Sequence, residues 1–292
     1  MTRILCIGSV LWDVVGRTPA HMALGADVPG HIVRIPGGVA LNIAMGLRRM
    51  GVDCALLSAV GRDVEGETLL ADAARRGINV AHVYVSDDLP TDTYMAIEGG
   101  NGLIAAIADA HSLERAGAKI LEPLVDGRVA SGDFTGIAAL DGNLSETLLS
   151  EIASGPWLGR ADLRVAPASP GKALRLAPLL GVPGATFYLN REEAGLLLGT
   201  PVRTAAEGAE ELGRRGAARV LVTDGGADAA MASGGRVLTA TPPEVMVTRV
   251  TGAGDTFMAA HIAAETRGAT AEMALEAGLR AAAQYVSGDV SQ

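Results

Sequence analysis

The stretch VTRVTGAGDTF, Val247 to Phe257, sets one carboxylate, Asp255, directly after three small residues, Gly252, Ala253 and Gly254. The apolar, alanine-rich run that follows reads as a helix, so the small residues form a turn at its start. Bare N–H groups at a helix start, together with the positive end of its dipole, attract an anion. A carboxylate is also tolerated in a first helical turn, and capping alone would account for Asp255 in isolation. Beside a bound anion, however, two negative charges repel. The arrangement makes chemical sense if the carboxylate takes a proton from an attacking hydroxyl while the turn holds the charge of a transferring phosphoryl group. The implied chemistry is phosphoryl transfer to an alcohol. Other nucleotide motifs fail. The dinucleotide fingerprint needs a glycine where Phe257 stands, and APASPGKA lacks the first Walker glycine and has Ala173 after its lysine.

Strand-helix alternation must position this turn. RILCIGSV reads as a buried strand, ALNIAMGLRRMG as a helix stopping at Gly51, CALLSAVG as a strand and EGETLLADAARRG as a helix. Residues 11–36, with Pro19, Gly25, Pro29, Gly30 and Pro36, are too broken for a helix and hold one short alternating piece, HIVRI. Thr91 to Ala108 reads as a hairpin around Gly-Gly-Asn-Gly. Beyond it we expect strands at RVASGDF, LRVAPA, ATFYL and RVLVTDGG, and short strands at AAMASGG, RVLTATP and EVMVTRV. Helices are expected over Leu144–Ser154, Pro170–Leu180, REEAGLLLG, a segment capped by Thr204 and Glu207, and from about Asp255 and Ala271. The pattern predicts an α/β, doubly wound, mostly parallel sheet with helices on both faces. It also predicts one domain over 1–292, with a small β-sheet lid from about 11–36 and 91–108.

Composition narrows the function classes. Lys and Arg number 24 against 33 Asp and Glu, a formal charge of −9, which weighs against nucleic-acid binding. No apolar run reaches the ~18 residues of a membrane span. MTRILCIGSV lacks the longer apolar region and cleavage site of a signal peptide. Cys6 and Cys54 lie in apolar runs and read as buried thiols, which suits a reducing cytoplasm. The five histidines show no metal spacing.

Taken together, TGAGDTF and PGGVALNIA resemble the paired signatures of the ribokinase-like (PfkB) carbohydrate kinase family. NREE at Asn190–Glu193 matches that family's Asn-x-x-Glu motif, and VLVTDGG resembles its ATP-side strand and turn. These elements stand in the family's order between Ile4 and about Val286. The resemblance implies an ATP- and Mg2+-dependent kinase acting on a small sugar or nucleoside. In it, Asp255 is the base, and Gly252, Ala253 and Gly254 form the anion hole. Asp13, Gly38 and Asn42 hold the acceptor. Asn190, Thr223 and Gly225 line the nucleotide side, and Glu193 positions Mg2+. The residues themselves allow plainer readings: Asp13 in a surface turn, Asn42 as a helix cap, Glu192 and Glu193 as an acidic first turn.

The segment AIADAHSLERAG and the valine of GGVALNIA are similar to pseudouridine kinases, which implies a nucleoside 5'-hydroxyl as acceptor and a substrate contact for Asp109. A solvent-facing helix cap is an equal reading of Asp109. Ribose, another sugar or another nucleoside remains an alternative acceptor, and an idle nucleoside-binding protein remains an alternative class. Arg249 departs from the family, many of whose members hold an acidic or amide residue there near a monovalent-cation site. A guanidinium would supply that charge itself, which leaves potassium activation open. An unpaired lid edge would be covered if the protein pairs with a second copy.

Overall fold

The computed structural model describes residues 4–23 and 25–288. Six parallel strands carry the main sheet: β1 (Ile4–Ile7), β4 (Ala55–Leu57), β9 (Ile137–Asp141), β10 (Asp162–Ala166), β11 (Thr186–Asn190) and β12 (Arg219–Asp224). The antiparallel pair β13 (Ala227–Ser233) and β14 (Arg236–Ala240) extends it, giving the order β14-β13-β12-β11-β10-β9-β1-β4. Alternate residues of each central strand feed separate cores, as a sheet covered on both faces requires. Leu5, Ile7, Leu140 and Phe187 lie in one core with Leu149 of helix α5 (Glu146–Ser154), Leu197 of α6 (Arg191–Leu198) and Leu212 of α7 (Ala205–Arg214). Ile4, Cys6, Ala139 and Tyr188 lie in the other with Leu41 of α1 (Val39–Arg49), Leu69 of α2 (Val64–Arg75), Met258 of α8 (Ala253–Thr266) and Leu275 of α9 (Ala271–Ser287).

A second sheet stands apart, built from β2 (Leu11–Arg17), β3 (His31–Gly37), β7 (Thr93–Gly99) and β8 (Gly102–Asp109) in the order β3-β2-β7-β8. Two short strands, β5 (Ala59–Gly61) and β6 (Tyr84–Ser86), pair beside it, and the short helices α3 (Ser112–Ala116) and α4 (Glu122–Val125) follow β8. Among the described residues no helix is long and apolar enough to cross a membrane.

Four local expectations change. Leu11–Arg17, read as part of a broken segment, is an inner strand of the small sheet, paired on both sides. Arg128–Phe134 forms no strand. The buried strand is the following IAALD, whose unbroken apolar run suits a position between two parallel neighbours. The segment Pro170–Leu179 is 3-10 rather than α, with Pro178 inside it lacking the N–H that an α-helix would need. Residues 241–250 form no strand despite their alternation, and Met246, Val247 and Val250 are exposed.

Candidate active site

Asn190 and Thr223 stand at the C-terminal ends of parallel strands of the main sheet, where open α/β sheets bind ligands, whereas Asp13 and Asp109 stand on the small sheet. Asn42 lies in the first turn of α1 and Asp255 in the first turn of α8. The two helices pack so closely that a Cβ on Gly46 would come within 2.7 Å of the Ala259 methyl. Gly46 and Ala259 each stand one turn beyond the pair. That close approach brings Asn42 Nδ2 to 2.8 Å from Asp255 Oδ2, to which it donates.

Asp255 is half-buried, and its surroundings push the carboxyl up to about 7. Burial is the largest cause. The Asn42 hydrogen bond opposes it, and the negative charges of Asp141, Glu193 and Asp13 add to the rise. Asp13, on β2, rises to about 6 through burial. Its carboxylate lies against Gly37, where a Cβ would fall 2.0 Å from Oδ2. Gly38, at φ +95, caps α1 and passes so near the Ser9 carbonyl that a Cβ would sit 2.5 Å from its oxygen. Gly38 is therefore sterically required, whereas a side chain at Gly37 would displace the Asp13 carboxylate.

At the turn before α8, Gly252 adopts a left-handed conformation with φ 88. The Ala253 N–H donates back to Val250 O at 3.1 Å. Gly254 and Asp255 are thus the first-turn residues whose amides face outward from the helix start, and Ala253 contributes shape more than a donor.

On the main sheet, Asn190 and Thr223 are direct neighbours on β11 and β12, and Gly225 makes the left-handed turn after β12. Asn190 and Glu193 form a reciprocal capping box: Glu193 N donates to Asn190 Oδ1 at 2.9 Å, and Asn190 N to Glu193 Oε2 at 2.8 Å. Burial pushes the Glu193 carboxyl up, opposed by the Asn190 N–H and helped by Glu192. Among the described residues no group of three or more His, Cys, Asp or Glu could hold a metal alone. A lone buried carboxylate is enough protein ligand for Mg2+, which keeps several waters and takes phosphate oxygens as ligands.

Asp109 is not brought to this cluster. It pairs with Thr93, which pairs with Trp12, whereas Asp13 pairs with Tyr94 on the opposite face of the small sheet. The Asp109 residue is also exposed.

Sequence reasoning missed Asp141. This fully buried carboxylate accepts hydrogen bonds from Ser9 N at 2.8 Å, Ser9 Oγ at 3.0 Å, Ala40 N at 3.1 Å and Asn143 N at 2.8 Å. It binds the end of β1 and the start of α1 to the end of β9. The signal was an aspartate closing the apolar run IAALD before Gly142, hidden because the strand was placed one segment too early. His261, on the buried face of α8, meets the Tyr188 hydroxyl at 2.9 Å and belongs to no metal-binding group among the described residues.

The pfkB family carbohydrate kinase profile matches residues 1–289. The chain belongs to the pfkB family of carbohydrate kinases. Its fold also matches a carbohydrate kinase from Agrobacterium tumefaciens, with a TM-score of 0.83 and 27% identity over 99% of this chain and 94% of that one. The guanosine-inosine kinase of Exiguobacterium acetylicum is 29% identical, over 98% of this chain and 95% of its own length. The pseudouridine kinase of Escherichia coli is also 29% identical, over 88% and 81%. This pfkB protein is therefore a sugar or nucleoside kinase. Two nucleoside kinases at equal identity do not choose the acceptor.

Proposed function

We propose that the protein transfers the γ-phosphoryl group of ATP to the 5'-hydroxyl of pseudouridine, giving pseudouridine 5'-phosphate. The observation that carries the chemistry is Asp255 itself: a carboxylate raised to about 7, held by Asn42 at the start of α8 beyond a glycine turn. A base poised near neutral pH is effective because it is ionised yet still able to accept a proton. Asp255 removes the hydroxyl proton as the oxygen attacks the γ-phosphorus. The bond to ADP breaks, ADP leaves, and Asp255 later releases the proton to water. The outward amides of the turn and the α8 dipole stabilise charge on the transferring group.

Asp13, with two acceptor oxygens, suits adjacent ribose hydroxyls, and bare Gly37 and Gly38 let a sugar lie against the backbone. In this reading Asn190, Thr223 and Gly225 line the nucleotide side. Glu193 would hold Mg2+ through water, and that ion offsets phosphate charge when bound.

The pseudouridine acceptor rests on AIADAHSLERAG, on Val39, and on the similarity to pseudouridine kinase. A purine nucleoside is the second reading, favoured by the fuller coverage of the guanosine-inosine kinase. ADP release across pseudouridine, uridine, inosine, guanosine, ribose and fructose 6-phosphate decides between them. Preference for inosine or guanosine selects the second reading, and preference for ribose or a sugar phosphate rejects both.

The small sheet acts as a lid in this reading. Ile32, Met95, Ile97 and Ile107 are exposed on one face of it, an apolar surface that a second copy would cover. A reducing cytoplasm suits the free buried thiols Cys6 and Cys54.

A further inference from the structure

The segment that delivers the anion turn has no strand to hold it. Residues 241–250 lie outside every helix and sheet, so the main sheet does not set the position of Gly252–Gly254. The C-terminal end of α9 does. Thr248 donates twice to the Val286 carbonyl, from its N–H at 2.8 Å and its hydroxyl at 3.0 Å. The Arg249 N–H reaches the same oxygen at 3.3 Å. Arg249 Nε donates to the Tyr285 carbonyl at 2.7 Å, and its guanidinium carbon lies 3.9 Å from the centre of the Tyr285 ring. The Tyr285 hydroxyl then donates to the Thr251 carbonyl at 2.9 Å. Gly252 sits directly beneath that hydroxyl, where a Cβ would come within 2.7 Å of it.

These contacts close a ring. One guanidinium meets the negative end of the α9 dipole and the face of an aromatic ring, two environments that each favour a cation. The same ring carries the hydroxyl that engages Thr251, the residue before the turn. Thr251 is thereby kept from swinging its carbonyl dipole toward a bound anion, and Gly252 is the one residue type that fits under the hydroxyl.

We propose that Arg249 and Tyr285 are positioning residues for the anion turn. The guanidinium seats the tyrosine over Gly252, and the tyrosine hydroxyl holds Thr251 so that the amides of Gly254 and Asp255 stand ready where phosphoryl charge develops. This rests on the reading of Gly252–Asp255 as the anion turn. Preorganised donors act through their placement, and a displacement of ~1 Å is able to cost ~100-fold in rate.

The test compares Arg249→Ala, Arg249→Lys and Tyr285→Phe with the unaltered protein and with Asp255→Asn, using ATP and the best acceptor of the panel above. Arg249→Ala should lower kcat ~10–100-fold while the acceptor KM stays within ~3-fold, because the acceptor is bound by other elements. Tyr285→Phe keeps the ring and loses only the hydroxyl, so it should lose a smaller part of kcat. Arg249→Lys should retain more activity than Arg249→Ala. Millimolar methylguanidinium should restore part of kcat to Arg249→Ala and none to Tyr285→Phe, a selectivity that a general loss of stability would not produce. Unchanged kcat in both Arg249→Ala and Tyr285→Phe overturns the inference while leaving Asp255 as the base. A kcat loss in step with lowered Tm and without rescue also overturns it. Full turnover in Asp255→Asn removes the anion-turn reading and this inference with it.

Discussion

Asn42 Nδ2 donates to Asp255 Oδ2 across 2.8 Å, joining α1 to α8 between residues 213 apart in sequence. The bond stabilises the ionised carboxylate and so opposes the burial that raises it to about 7. In the proposed mechanism Asp255 works ionised, so kcat/KM should climb as pH rises through about 7 and level off above it. In Asn42→Ala that limb should move to higher pH. A pH–rate profile reads the shift, and a limb that stays in place would mean that another group titrates.

Replacing the proposed base tests the chemistry. Asp255→Asn should lower kcat by ~10²–10⁴-fold, the span of general-base contributions. Acceptor binding, measured by calorimetry, should remain within a few-fold. Wild-type turnover in this variant would exclude Asp255 as the base.

The same variant makes a stability prediction with a defined sign. Folding raises this carboxyl from 3.8 to about 7, so between those values the folded state holds more protons than the unfolded chain. Ionised Asp255 therefore weakens the fold increasingly as pH rises through that window. Asp255→Asn should melt ~2–4 °C above the wild type at alkaline pH, the shift of about 1 kcal/mol in a large domain. The difference should vanish as pH falls toward 3.8. Equal melting curves at every pH would show that the carboxyl is not raised.

Gly46→Val places a branched side chain where even a Cβ meets Ala259 at 2.7 Å. Parting α1 from α8 should cost ~1–3 kcal/mol in urea denaturation. It should also lower kcat by stretching the Asn42–Asp255 bond. Unchanged stability and rate would show that this helix contact yields freely.

Glu265, near the end of α8, pairs with both Arg164 and Arg219, and the Arg164 side chain is only 5% exposed. Glu265→Ala takes one of two carboxylates from a buried guanidinium that keeps its Asp162 pair, and should cost ~1.5–3 kcal/mol by chemical denaturation. The acceptor KM should change little, since this cluster lies at the far end of the helix from Asp255. A neutral outcome would mean that Asp162 alone satisfies Arg164.

Glu193→Gln keeps an oxygen to accept the Asn190 N–H and so preserves the capping box, but removes the charge. Half-saturation by Mg2+ should require ~10-fold more metal, as losing an outer-shell partner typically does. An unaltered Mg2+ titration would assign Glu193 to capping alone.

The turn before α8, the Asn190–Glu193 pair and the glycines before α1 were legible because each is a local pattern: small residues at a helix start, or partners one helical turn apart. The alternation of strands and helices was legible for the same reason, since the hydrophobic period lies within a few residues. Local patterns also misled. EVMVTRV alternates like a strand, yet no neighbouring strand reaches it, and α9 holds it instead. Asp109 lies near Asp13 along the small sheet, but the pleat sends them to opposite faces.

The sequence by itself determined the α/β plan, the glycine turn before α8 and the carboxylate placed after it, because steric and dipolar demands at a helix start act over a handful of residues. Only the tertiary structure decided that Asn42 would meet Asp255, that Asp141 would be buried among the ends of three elements, and that Asp255 would stand near 7. Those outcomes depend on how closely distant helices pack and how far water is excluded between them, and neither is written in any short stretch of chain.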